Sequence, residues 1–139
     1  MPSHEVFMIY ENDQKEAEEA LHFLLAESQA KCALLISRDG SLICQQGETA
    51  SLDTTSLAAL AAGCFAATKE IARLIGEPEF SVLFHQGEHE SIHVSLVGEE
   101  ALLMMLFDDR TTIGLVRIMA KEASRRLSKI FGPQARASD

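Results

Sequence analysis

Apolar and polar positions alternate along this chain in a way that predicts three helices and five strands. Ala17, Leu21, Leu24 and Leu25 recur at helical spacing, predicting a first helix capped by Asp13 and running to about Ser28. The short apolar stretch Val6–Tyr10 before it reads as an extended arm or a lead-in. Cys32–Ser37 and Leu42–Gln46 are strands around Arg38-Asp39-Gly40-Ser41, where Asp-Gly tolerates the positive φ of a tight hairpin. Gly47–Leu52 is a loop into a long helix with both ends marked. Asp53 can accept from the free N–H groups of its first turn, Gly76 suits a left-handed end, and Pro78 follows. Three apolar runs come next, Phe80–His85, Ser91–Val97 and Ala101–Phe107, punctuated by Gly87 and Gly98. The last helix begins near Thr111 or Thr112 and reaches Phe131, with Ile113, Val116, Ala120, Ala123, Leu127 and Ile130 on its apolar face. Gly132-Pro133 ends it, so the chain reads as one domain, 1–131, with a flexible tail at 132–139.

The strands differ in quality. Ala101–Phe107 carries no polar residue on either face and Cys32–Ile36 is nearly the same, whereas a strand with one wet face alternates. Two such runs predict central strands covered on both sides. Ser91–Val97 alternates better and is less enclosed, and Phe80–His85 is expected at an edge, free to pair with a neighbour. The expected fold is α/β of the α+β type: a five-stranded antiparallel sheet in the order α-β-β-α-β-β-β-α. The long helix covers one face and the first and last helices the other.

That long helix has two candidate faces. Leu57, Leu60, Cys64, Ile71 and Ile75 form a bulky stripe, expected on the core. Ala59, Ala62, Gly63 and Ala66 form a second stripe of small side chains. A glycine within a helix costs about 1 kcal/mol relative to alanine. Close approach of another backbone would offset that cost at Gly63, either from the same molecule or from a second chain.

Composition narrows the function. The net charge of −9 argues against a nucleic-acid binder. The charge is uneven: residues 1–27 hold seven acids and one base, a net of −6, while 110–131 hold six bases and one acid, a net of +5. Two oppositely charged helices lying near each other account for this. Cys32, Cys44 and Cys64 form no metal-type pair and are expected to be buried free thiols of a reducing cytoplasm. The start shows no basic stretch before an apolar run, so no signal peptide is expected. No apolar run approaches the roughly 18 residues of a membrane span.

Candidate chemistry is sparse. His85, His89 and His93 are four apart, but fall on strand, turn and strand; solvated histidines are the plain reading and a metal site the sharper one. No Gly-x-Ser-x-Gly elbow and no phosphate-cradling glycine loop is present. Asp108-Asp109-Arg110 precedes a helix and reads as turn and cap, with an acid–base carboxylate pair as the alternative. Arg117, Lys121 and Arg125 are a solvated row or a landing strip for an acidic partner. Arg38 and Arg110, in loops, could serve as arginine fingers. No catalytic residue, cofactor or metal is expected.

Five pieces in register carry a resemblance: Leu34–Ile43, Asp53–Gly63, Leu74–Phe80, Phe84–Gly87 and Phe107–Arg117. Across about 15–131 they resemble the Roadblock (dynein light chain) family, nearest its bacterial MglB-type branch, partners and activators of the Ras-like switch MglA. The resemblance implies a Roadblock/profilin-like fold and a homodimer joined through the strand after the central helix, here Phe80, Ser81, Val82, Leu83 and Phe84, and through that helix itself. It also implies a platform for the GTPase, here Ala59, Ala62, Gly63, Ala66, Ala67 and Glu70. Lys69 and Glu70 depart from the small-residue pattern, and the tail after Phe131 is short beside the C-terminal extension of some MglB-type members.

The expected function is therefore a cytoplasmic, non-enzymatic homodimer that binds a bacterial Ras-like small GTPase of MglA type and stimulates GTP hydrolysis without supplying catalytic residues. The alternative is a dimeric scaffold that recruits a GTPase or motor complex without changing hydrolysis. A small-ligand sensor ranks last, because the apolar runs look filled with side chains.

Overall fold

Two strands with no polar face end up at the centre of the sheet. The computed structural model describes residues 11–131. Their elements are α1 (Glu11–Ser28), β1 (Cys32–Ser37), β2 (Leu42–Gly47), α2 (Thr54–Ile75), β3 (Val82–Gln86), β4 (Ser91–Val97), β5 (Ala101–Phe107) and α3 (Ile113–Phe131). The sheet order is β2-β1-β5-β4-β3 and every pairing is antiparallel. β5 slots between the two hairpins, because only a neighbour on each edge and a helix layer on each face can bury its seven apolar residues. The expected order, sheet and layers are all observed. The apolar start Val6–Tyr10 and the tail lie outside the described residues.

Register decides which side chain meets which layer. Leu35 lies opposite Leu103 and Ala33 opposite Met105, and these face α1 and α3 together with Leu21, Leu24, Val116 and Leu127. Leu34 lies opposite Met104 and Ile36 opposite Leu102, and these face α2. Burying each of these Leu, Ile, Val and Met side chains contributes about 1.5–3 kcal/mol. The acidic α1 and the basic α3 do lie side by side. They meet through apolar side chains, and no ion pair among the described residues joins them.

The helix ends follow their sequence signals, with one exception. Asp53 Oδ1 accepts from the Ser56 N–H at 3.1 Å, and Gly76 sits at φ +85° with the Gly76 and Glu77 N–H groups closing back on Arg73 and Ala72. This is the double closure that a left-handed residue permits. Thr112 caps α3 through its hydroxyl, which accepts from Leu115 N–H at 3.2 Å. Asp13 is not the cap of α1: the helix is already formed at Glu11, so Asp13 lies inside it. The polar run Glu-Asn-Asp-Gln-Lys carries no stop signal, so the apolar face alone set the expected start too late.

The larger correction concerns the rotation of α2. The face on the sheet is Ala58, Ala61, Ala62, Phe65 and Ala72. The stripe expected on the core faces away: Leu60 is 69% exposed, Ile71 52%, Ile75 64%, and Cys64 is exposed, while Leu57 is half-buried at the flank. The reason is steric. Leu34, Ile36, Leu102 and Met104 already fill the space above the sheet. A helix can settle there only on small side chains, with the single ring of Phe65 plugging what remains. Phe65→Ala is therefore expected to cost about 3–5 kcal/mol in urea unfolding. Leu60→Ala should stay within about 0.5 kcal/mol, although the periodicity placed Leu60 on the core.

Candidate partner-binding surface

The outer side of α2 is apolar although it faces solvent. Leu60, Ile71, Ile75 and Leu74, the last 72% exposed, share the helix with the exposed small residues Gly63, Ala66 and Ala67. Clustered large apolar side chains on a surface mark interaction sites more often than scattered ones do. The helix lies over β1 and β2. Toward β3 and β4 on the same face, Leu83, Ile92 and Leu96 are only half-buried and His85 is exposed. The apolar ground thus continues past the helix to the sheet edge. There, among the described residues, β3 pairs only with β4, leaving its outer backbone groups open.

The small-residue stripe divides between two uses. A Cβ built on Gly40, which sits at φ +98°, would lie 3.3 Å from Ala59 Cα and 3.8 Å from Ala62 Cβ. Ala59 and Ala62 are therefore small partly because the β1–β2 turn passes close by. Ala62 is also buried against the sheet and has little surface to offer. Gly63 is different: a Cβ there would meet nothing within 4 Å, so no close approach within the chain explains it. Glu70 is exposed and ion-paired with Arg73, whose Nε donates at 2.7 Å. Of the edge residues, Phe80, Val82 and Leu83 are half-buried, Ser81 is exposed, and Phe84 stacks on Phe107 at 6.2 Å between ring centres.

Sequence reasoning missed Leu60, Cys64, Ile71, Leu74 and Ile75 as surface residues. The signal was available. Two sheet strands bulky on both faces leave room for a small helix face, and Ala58, Ala61, Ala62 and Phe65 recur at helical spacing.

The remaining candidates for chemistry are tied down. Arg38 donates to Glu79 at 2.7 Å, and Arg110 pairs with Asp108 at 3.0 Å and Glu48 at 3.5 Å. The Arg110 contacts hold the Asp108 carboxyl below the ordinary carboxylate range, which suits a turn and not a general acid. His85 lies opposite Ile92 and His93 opposite Phe84, so the two histidines point to opposite faces of the hairpin. No group of three metal-type ligands exists among the described residues. His93 is not a solvated turn residue: it is 1% exposed, and neither ring nitrogen has a partner. Cys32 and Cys44 are buried, which pushes their thiols up to about 11 and about 12. Cys64, expected to be buried, faces outward because α2 is rotated. No helix among the described residues is long and apolar enough to cross a membrane.

Residues 16–107 match the family model described as the Roadblock/LC7 domain. The chain is similar to Myxococcus xanthus MglB, with 41% identity, a TM-score of 0.84, and coverage of 89% of this chain and 93% of that one. It is also similar to the gliding protein MglB from Thermus thermophilus, at 35% identity and a TM-score of 0.84 over 90% and 95% of the two chains. An MglB in a tetrameric arrangement superposes with a TM-score of 0.86 at 34% identity, over 90% and 94%.

Two measurements check this geometry. In the native protein Cys64 should react with a thiol reagent such as DTNB, while Cys32 and Cys44 stay silent until unfolding, read as thiol equivalents against urea. The second concerns pH. Burial, and then Arg117, hold His93 below its ordinary value of 6.5, with Arg117 and Lys121 of α3 lining the space beside it. The unfolded chain therefore takes up a proton that the folded chain refuses, so stability falls as pH drops below 6.5 toward the folded value. His93→Leu should flatten that part of the melting-temperature profile.

Proposed function

Because this chain belongs to the Roadblock/LC7 family, we propose that it is a homodimeric regulator of a bacterial Ras-like small GTPase and stimulates GTP hydrolysis in the cytoplasm. The observation that carries the reading is the apolar outer side of α2, continuous with an open β3 edge. Two copies joined edge to edge at Phe80–Phe84 would bring both α2 helices onto one side of a continuous sheet. Gly63, Ala66 and Ala67, with Ala59 and Glu70 at the margins, would then form a shallow seat for the GTPase. The similarity to MglB proteins, one of them a gliding protein, supports this partner class and a role in polarity or motility.

We infer that this chain supplies no residue to the chemistry. Among the described residues, the loop arginines Arg38 and Arg110 are both engaged by carboxylates. The chemistry would stay in the GTPase, and this protein would act by preferring the switch conformation that orients the attacking water. Such leverage is bounded by differential affinity: moving an equilibrium from 1:99 to 99:1 requires about a 10⁴-fold preference.

Ala66→Arg places a long charged side chain on the seat. It should weaken binding of the cognate GTPase about 100-fold or more while the dimer persists, read by calorimetry and by sedimentation. Unchanged affinity would remove α2 from the interface. Arg38→Ala and Arg110→Ala should leave single-turnover stimulation within about threefold, whereas loss of an arginine finger costs about 10³–10⁵. Binding without any stimulation by the intact protein would replace the activator reading with the scaffold.

A further inference from the structure

On the sheet face opposite α2, the side chains do not fill the space. A cavity of about 520 Å³ lies between α3 and the β3–β4 end of the sheet. It exists because β4 presents His93 and Ser95 toward α3, where β1 and β5 present Leu and Met. Over these residues α3 places Arg117, Lys121 and Ser124. The volume is within the range of small-molecule sites, roughly 300–1,000 Å³. Val82 supplies an apolar end.

The imidazole and the two cations of this cavity lack partners. His93 is 1% exposed and neither Nδ1 nor Nε2 has a hydrogen-bond partner, an arrangement that native proteins rarely leave uncompensated. Arg117 and Lys121 are one helical turn apart and take part in no ion pair among the described residues, although Arg125 on the same row is paired with Glu122 at 2.8 Å. Two like charges at this spacing repel. The hydroxyls of Ser95 and Ser124 share a hydrogen bond at 3.4 Å across the gap between strand and helix. Two unpaired cations, a buried imidazole and two hydroxyls form a donor set without a carboxylate among the cavity-lining residues.

We propose that this cavity binds a small molecule bearing an oxyanion, phosphoryl or carboxylate. Arg117 and Lys121 hold its charged group, His93 donates a ring N–H, and the Ser95 and Ser124 hydroxyls complete the shell. Charge-assisted hydrogen bonds of this kind are roughly twice as strong as neutral ones. An anion placed here also counters the Arg117 charge that disfavours imidazolium, so binding raises the pKa of His93. The site is on the other side of the sheet from α2 and does not depend on GTPase binding, while Ser81 and Val82 at its rim belong to the edge at which two copies are proposed to join.

The test uses the full chain with inorganic phosphate and, separately, citrate as probes, each against sodium chloride at matched ionic strength. The His93 ring resonances are followed by NMR together with the thermal melt. The expected result is a saturable shift of His93 and a rise in melting temperature that chloride does not reproduce. Both effects should weaken about tenfold in Arg117→Gln and in Lys121→Gln, substitutions at exposed positions that leave the core intact. A response to phosphate alone assigns a phosphoryl ligand, and a response to citrate alone a carboxylate. No saturable response to either anion, or a response unchanged in both variants, overturns the proposal.

Discussion

The space above the middle of the sheet is the constraint on which the rest depends. β1 and β5 carry bulky apolar residues on both faces, so each helix layer meets a surface that is already full. On the α1–α3 side two helices share the load and their own leucines reach between them. On the other side a single helix must cover Leu34, Ile36, Leu102 and Met104, and it does so with alanines and one phenylalanine. The residues that give α2 its hydrophobic character are thereby turned to solvent.

That inversion converts a packing rule into a surface. A helix apolar on one side only would finish the fold and leave nothing to bind with. α2 is apolar on both sides, so the helix that closes one core also carries an uncovered patch. Beside it Gly63 accepts the helix penalty of a glycine with open space where a side chain would stand. The patch ends at β3, where backbone groups are open too. Apolar side chains and an open ladder edge are the two means by which folded chains join others, and here they adjoin.

The opposite face shows the same logic with polar residues. β4 carries His93 and Ser95 where its neighbours carry Leu and Met, and α3 answers with Arg117 and Lys121. Charged heads cannot fill a core, so a cavity forms in place of a third apolar layer. The basic row on α3 therefore has two parts. Arg125 is a solvated residue paired along its own helix, whereas Arg117 and Lys121 line the space above His93.

What the sequence determined by itself was most of what local chemistry sets, the start of α1 excepted. Alternation and glycine punctuation placed the five strands, Asp53, Thr112 and Gly76 marked helix ends, and two runs without polar residues named the central strands. These signals act over a few residues, and so they are legible in order. The rotation of α2, the outward Cys64 and the burial of His93 were decided only by tertiary structure. Each depends on how much volume a distant strand has already taken. Hydrophobic periodicity says that a helix has faces, but which face turns inward is settled by the room left for it.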